Sequence, residues 1–372
     1  MVYVHFPFCR SFCKYCGFYS ELAAPGEDFV RAVCAEIESR RGEIEASAAV
    51  DTLYYGGGTP SVLPLEYLGR IADACGGRKW REWTVEVNPD DITPEYASGL
   101  KALGVNRVSM GVQSLDDGVL RWMGRRHDAD GARRAFRLLR EAGFDNVSVD
   151  IIFGIDGFDF KVLEGTVREI LSWRPEHISA YQLSIDDDSE LRQLNKAGKY
   201  NELDDDLCLE QYSFICSALA GEGYNHYEIS NWARPGYRAV HNSAYWARVP
   251  YVGIGPAAHS LRQPSDGPAS ACAARTWNSD AISSWYSAGE DLTEREIWEE
   301  RIMLGLRTAD GIPSGLVYNR PPEDEDNYTP GEYIPDPQKY IDRLVPSLVP
   351  GNLRIPEDLW FIADDIISGI IA

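Results

Sequence analysis

Six short runs rich in apolar and β-branched residues punctuate the first half of the chain, at Val2–His5, Thr52–Tyr55, Thr84–Val87, Arg107–Met110, Val147–Ile152 and His177–Ala180. Between them lie longer stretches whose apolar positions recur every three or four residues: Asp28–Glu45, Leu65–Cys75, Pro94–Leu103, Ala129–Ala142 and Lys161–Trp173. The first pattern predicts strands and the second predicts helices. Gly104 and Gly143 sit where two of the helices should stop, because glycine accepts the left-handed backbone of a helix C-terminus. Strands alternating with helices predict parallel βαβ units, and so an α/β fold built as a partial barrel or a doubly wound sheet. Either architecture gathers ligands at the carboxyl ends of its strands.

The pattern changes after about residue 225, where aromatic and polar residues mix with Gly and Pro from Tyr227 to Pro256. Helical periodicity returns at Glu294–Leu306 and Leu359–Ile371. Between these, Pro321–Pro337 holds five prolines, six acidic residues and no Lys or Arg, the composition of a solvated loop. The shift predicts a first unit over residues 1–226 and a smaller, mainly helical C-terminal region over 227–372, ending in a helical tail.

Charge narrows the function. The 372 residues carry 36 Lys+Arg against 58 Asp+Glu, a net charge of −22. This argues against a nucleic-acid or anionic-membrane binder, which needs clustered cations. No apolar run reaches the roughly 20 residues of a transmembrane helix. The opening MVYVHFPFC lacks the basic and apolar regions of a signal peptide, so a cytoplasmic protein is expected. Eight cysteines are too sparse for a disulfide scaffold, and three of them crowd together as Cys9, Cys13 and Cys16. In a reducing compartment that crowding points to metal. The spacing CxxxCxxC follows the first strand directly. Thiolates suit iron–sulfur clusters or zinc. A structural zinc site needs four ligands, and only His5 stands near enough in sequence to be the fourth. Three thiolates on a [4Fe–4S] cluster would leave one iron open for another ligand. The other cysteines, Cys34, Cys75, Cys208, Cys216 and Cys272, mostly lie in apolar helical settings and read as inert thiols.

Cys9, Cys13 and Cys16, with the aromatic Tyr15 before the last of them, resemble the CxxxCxΦC motif of the radical S-adenosylmethionine (SAM) superfamily. The surrounding Tyr3-Val-His-Phe-Pro-Phe-Cys9 is similar to the branch that holds the oxygen-independent coproporphyrinogen III oxidases and the HemW heme chaperones. The resemblance implies a partial (β/α)6 barrel and a [4Fe–4S] cluster whose open iron chelates the amino and carboxylate groups of SAM. One electron from the cluster, supplied by a donor such as flavodoxin or ferredoxin, would cleave SAM to a 5′-deoxyadenosyl radical.

The resemblance also assigns SAM contacts to Tyr3, Tyr15, Gly57, Gly58, Thr59, Glu86, Gln113, Arg125 and Asp150. Read as residues alone, Gly56-Gly57-Gly58 is either a tight turn or a place where backbone approaches a ligand. Glu86 could pair with an ammonium or a ribose hydroxyl, or be a solvated strand-end charge. Asp150 stands in the apolar run Val147–Ile152, where a carboxylate is costly unless paired; a core arginine is the plain alternative. Arg126 and His127 read as helix-surface residues. After Asp150 the chain runs Phe153-Gly-Ile-Asp-Gly-Phe-Asp159, without the Pro and Gln-Thr pair common in the family.

Two features favour the chaperone side of that branch. Phe18 stands where the oxidases carry a further Cys, and no long segment precedes Tyr3. His241-Asn-Ser-Ala-Tyr-Trp246 is similar to the HNxxYW motif of the chaperones. Imidazole is a natural axial ligand of heme iron, so His241 is the expected heme ligand, although a histidine in an aromatic core is the plain reading of the residue. His259 is expected to be structural. The whole predicts a cytoplasmic radical-SAM-type protein that binds heme and passes it to a heme-accepting protein. The alternatives are an enzyme decarboxylating coproporphyrinogen III and a zinc-binding module.

Overall fold

A computed structural model describes residues 1–47, 49–77, 79–262, 273–282, 285–321 and 336–372. Cys272 and most of the predicted loop Pro321–Pro337 lie outside the described residues. All six predicted strands form, as β1 (Val2–Phe6), β2 (Thr52–Gly57), β3 (Glu82–Val87), β4 (Arg107–Gln113), β5 (Val147–Phe153) and β6 (His177–Gln182). They lie side by side in sequence order and pair in parallel. A doubly wound sheet reverses its strand order at a switch point, and this one does not. The singly wound order is the one a partial (β/α)6 barrel requires. With right-handed crossovers it places the connecting helices on one face and leaves the other free.

The helices of that layer are α1 (Glu27–Ser39), α2 (Arg41–Ala46), α3 (Leu65–Ala74), α4 (Pro94–Leu103), α5 (Asp117–Met123), α6 (Ala129–Glu141), α7 (Phe160–Trp173), α8 (Glu190–Lys196) and α9 (Asp205–Gly221). The stretch predicted as one helix over Asp28–Glu45 is two, α1 and α2. Arg40 breaks it by reaching across to Gly253 O at 2.7 Å and Ser260 Oγ at 3.0 Å. Strand residues alternate between faces. Val2, Val4, Leu53, Tyr55, Val85, Val108, Met110, Val149 and Ile151 bury outward against Val33, Ile37, Leu68, Leu100, Leu139 and Ile170 of the helices. Their neighbours Tyr54, Glu86, Ser109, Asp150 and Ser179 point the other way and line a cavity.

The sheet does not stop at residue 226. Strands β7 (Asn225–Glu228) and β8 (Asn231–Ala233) add antiparallel to β6, while helix α10 (Val240–Trp246) leads to β9 (Val252–Ile254), which pairs in parallel with β1. The order β7-β8-β6-β5-β4-β3-β2-β1-β9 leaves two edges, and among the described residues no pairing joins them. Beyond it, β10 (His259–Arg262), β11 (Ala274–Asn278) and β12 (Ser287–Asp291) form a small antiparallel sheet.

The remaining chain holds α11 (Glu294–Leu306), β13 (Ile312–Pro313), α12 (Ser314–Tyr318), α13 (Gln338–Ile341), β14 (Val345–Pro346), β15 (Asn352–Arg354) and α14 (Ala363–Ile371). Trp298, Ile302, Trp360, Ile366 and Ile370 give these helices a core of their own. Helix α11 matches its predicted bounds and starts with a reciprocal cap between Thr293 and Glu296. The tail predicted from Leu359 begins its α-helix four residues later, after a 3-10 stretch over Glu357–Ile362.

Candidate functional site

The loop after β1 carries Cys9, Cys13 and Cys16 and is tied down at several points. Cys9 N donates to Glu21 O at 3.0 Å and Glu21 N to Pro7 O at 2.8 Å, closing its base. Lys14 N donates to Met123 O at the end of α5 (3.0 Å), and Leu191 N of α8 donates to Lys14 O (2.8 Å). Gly124 permits the first contact. Its φ is 78°, and a Cβ there would meet Phe12 O at 3.2 Å. The loop is thereby held over the carboxyl ends of the strands, with all three thiols lining one cavity of about 910 Å³.

Among the described residues no group of three His, Cys, Asp or Glu converges as a single metal ion requires. A [4Fe–4S] cluster asks for something different, because each thiolate binds its own iron. Three thiols spaced along one loop supply that donor set, whereas a zinc site would need four converging ligands. Burial pushes the Cys16 thiol up to about 11. Arg125 brings positive charge to the same loop, with Nη1 3.5 Å from Cys13 Sγ. Its other nitrogen donates to Asn88 Oδ1 at 2.6 Å and Gly111 O at 2.7 Å.

Below the loop two buried carboxylates face the cavity. Glu86 accepts from Tyr54 Oη at 2.7 Å and from Gly57 N at 3.2 Å. Burial still raises its pKa to about 7, with Asp150 adding to the rise. Asp150 is hydrogen-bonded by hydroxyls, and the core arginine considered from sequence is present as Arg107, which acts on it across space. Ser109 Oγ donates at 3.1 Å and Ser148 Oγ at 3.3 Å, with Ser179 a further partner. Burial raises its pKa too. Two carboxylates under this strain fit a ligand bearing positive charge, such as the ammonium and sulfonium of SAM. The glycine run keeps the approach clear: a Cβ on Gly56 would meet Glu86 Oε1, Tyr54 and Tyr3 within 3.1 Å, and one on Gly57 would strike the His5 ring.

Tyr15, Gly57, Gly58, Thr59, Glu86, Gln113, Arg125 and Asp150 all line the cavity, together with Cys9, Cys13 and Cys16. Gln113 reaches it through a bulge in β4 and a φ of 65°. Tyr3 is on the right face of β1 but does not line the cavity; its hydroxyl lies 3.1 Å from His5 Nδ1. Arg126 and His127 are not helix-surface residues. Arg126 lines the cavity and pairs with Asp90, and His127 is buried with Nε2 3.1 Å from Val112 O. Sequence reading passed over Arg107, Ser109, Ser179, Tyr181 and Asn88. Alternation along β4 and β6, the strands beside those that hold Glu86 and Asp150, could have found the first four.

His241 is placed differently from the expected heme ligand. It is 0% exposed and does not line the cavity. Its Nδ1 lies 2.8 Å from Thr52 Oγ1 and its Nε2 3.0 Å from Tyr245 Oη, so both ring nitrogens are engaged. Its backbone N–H and that of Val240 both donate to the Glu82 carboxylate at 2.8 Å. Burial lowers its pKa to about 3, so the ring is neutral. The Tyr54 ring packs on it at 5.0 Å, which leaves the cavity to Tyr54 on one side and to Asn242, the next residue of the motif, on the other. His259 is exposed, over Trp277.

Comparison with known proteins agrees with this fold. The Radical SAM superfamily matches residues 3–170. The heme chaperone HemW of Lactococcus lactis is 32% identical over 320 residues, covering 83% of this chain and 82% of that one. HemW of Bacillus subtilis is also 32% identical, over 327 residues and 84% of its length. The mouse mitochondrial radical S-adenosyl methionine domain-containing protein 1 is 30% identical over 325 residues, 84% of this chain and 74% of that one. Among solved structures, coproporphyrinogen III oxidase (HemN) of Escherichia coli shares the fold with a TM-score of 0.71 at 18% identity, covering 99% of this chain and 89% of that one. No helix among the described residues is long and apolar enough to cross a membrane. Membership of the superfamily implies a [4Fe–4S] cluster and SAM, and the cavity offers residues fitted to both. Identity of 32% over more than four-fifths of these HemW chains, with the superfamily match over residues 3–170, means that the chain belongs to the radical SAM superfamily and, within it, to the HemW family.

Proposed function

We propose that this protein is a heme chaperone: it binds heme, carries a [4Fe–4S] cluster and SAM in the cavity, and passes heme to a heme-requiring protein. The observation that carries the reading is similarity to HemW proteins over more than four-fifths of their length, well past the end of the superfamily match at residue 170. The cavity suits a flat apolar ligand at its mouth, where Phe12 and Phe18 are exposed, Phe18 at 72%. Cys9, Cys13 and Cys16 would hold the cluster. A bound cluster supplies an open iron for the SAM amino acid group, with Glu86 and Asp150 accepting from its cationic portion. The heme-accepting protein and an electron donor such as flavodoxin or ferredoxin complete the set of partners. Anaerobic reconstitution followed by heme titration tests the reading. One heme per chain is expected, with no conversion of coproporphyrinogen III in the presence of SAM and reductant. Turnover of that substrate would assign the protein to the oxidases.

Glu86 gives SAM binding a pH signature. Its folded pKa is raised above the ordinary carboxylate value, so its ionisation costs stability as pH rises through 7. A bound cation offsets that cost. SAM affinity should therefore climb between pH 6 and 8 with proton release on binding, and Glu86→Gln should remove the climb. Calorimetry in two buffers of different ionisation enthalpy measures the released proton. A flat profile in the unmodified protein would remove Glu86 from the cation site.

Replacing Asp150 by Asn should weaken SAM by roughly 10–150-fold, the range for a charged hydrogen-bond partner. Equal SAM affinity in the two proteins would place the ligand away from β5.

A further inference from the structure

Four arginines line the cavity: Arg10, Arg107, Arg125 and Arg126. Three have partners. Arg10 pairs with Asp91 at 3.2 Å, Arg126 with Asp90, and Arg125 with Asn88, Gly111 O and Cys13. Arg107 does not. It is 1% exposed, its Nε is buried without a hydrogen-bond partner, and among the described residues its guanidinium makes no hydrogen bond or close ion pair. The carboxylates that act on it across space are otherwise engaged. Glu82 holds the backbone N–H groups of Val240 and His241, and Asp150 holds its serines. Those charges favour its cationic form across space, but a buried guanidinium nitrogen without an acceptor is costly until a ligand oxygen supplies one.

Position decides which ligand can bring it. Arg107 pairs in register with Thr84 at the start of β4. Arg125, which touches Cys13, binds Gly111 O four residues further along the strand. At the rise of a strand that is about 13 Å. The carboxylate of SAM, chelated at the cluster, therefore sits at the opposite end of the cavity. The mouth carries Asp186, Asp188, Glu190 and Asp280, which repel an anionic group. An acid-bearing ligand that enters past these residues is best received at the floor.

We propose that Arg107 is the anchor for a carboxylate of the second ligand in the cavity, a propionate of the porphyrin. This rests on the heme reading above. It divides the cavity by charge, with the cationic portion of SAM at Glu86 and Asp150 and a porphyrin acid at Arg107.

The test compares iron protoporphyrin with its dimethyl ester on the cluster-loaded full chain, with SAM affinity measured beside them. The unmodified protein should bind the free acid about 10–100-fold more tightly than the ester. Arg107→Met should lose that difference by weakening the acid alone, leaving the ester unchanged. The comparison of ligands on unmodified protein needs no variant, so it stands even if Arg107→Met folds poorly. Equal binding of acid and ester would overturn the assignment of Arg107 while leaving the chaperone reading intact. Loss of SAM affinity in Arg107→Met with heme unchanged would give Arg107 to the SAM carboxylate and overturn it too. Absence of binding by both porphyrins would instead remove the heme reading itself.

Discussion

Cys9→Ala, Cys13→Ala and Cys16→Ala should each yield protein without a [4Fe–4S] cluster after anaerobic reconstitution. The loss is expected to be complete rather than graded. One iron of the four must stay open for SAM, so three thiolates are the minimum, and no other cysteine among the described residues lines the cavity to take over. Cys34 and Cys216 pack against the helical side of the main core, and Cys75 and Cys208 are buried away from the cavity. Cys34→Ala and Cys208→Ala should therefore keep the full cluster. The readings are iron and sulfide content and the EPR signal of the dithionite-reduced protein. Retention of a normal signal in any of the three loop variants would break the assignment. Cys13→Ala should show a second effect, because Arg125 then loses the sulfur beside it but keeps Asn88 and Gly111. The loop itself should stay seated, since its ties to Met123, Leu191 and Glu21 are backbone bonds. Folded, colourless protein is thus the expected outcome.

His241→Ala should destabilise the protein by about 3 kcal/mol and leave the Soret band of bound heme where it was. The cost combines a cavity under Tyr54 with two hydroxyls, on Thr52 and Tyr245, that lose their partner in a dry site. Thr52→Val is the companion measurement. It breaks the same contact without touching the imidazole, so it should lower stability in the same direction and also spare the heme spectrum. Denaturant unfolding and absorption spectroscopy on the same samples separate the two effects. A shifted Soret band in His241→Ala, with Thr52→Val normal, would make His241 an iron ligand and require α10 to leave its seat on β2 when heme binds.

These two residues mark how far the sequence can be read. The cysteine loop was legible because its chemistry is local: three thiols within eight positions need no tertiary information. Asp150 was legible for a related reason, since a carboxylate amid Val and Ile must be answered by something. What answered it was not. Ser109, Ser148 and Ser179 come from three neighbouring strands, and only the register of the sheet brings their hydroxyls together. Arg107 escaped notice because the first residue of a strand looks like an exposed boundary until the barrel floor closes around it. His241 is ambiguous for the opposite reason. A histidine among Tyr and Trp looks the same in sequence whether its ring faces a cofactor or a core, and Thr52, which holds its ring in this structure, is 189 residues away. Helix α9 showed in the sequence only as the apolar helical setting of Cys208 and Cys216; Asp204 caps it and Tyr212, Ile215 and Leu219 carry its buried side.

The pairing of β9 with β1 joins the first strand made to one completed some 250 residues later, with Val2 opposite Val252. A ribosome adding roughly 5–20 residues per second needs on the order of tens of seconds to cross that interval. Throughout it the strand that leads into the cysteine loop has β2 on one flank and no neighbour on the other. Closing so long a sequence separation is slow, and the strand cannot settle until the late partner emerges. The seat that carries Cys9, Cys13 and Cys16 is therefore complete only once Val252–Ile254 has joined the sheet.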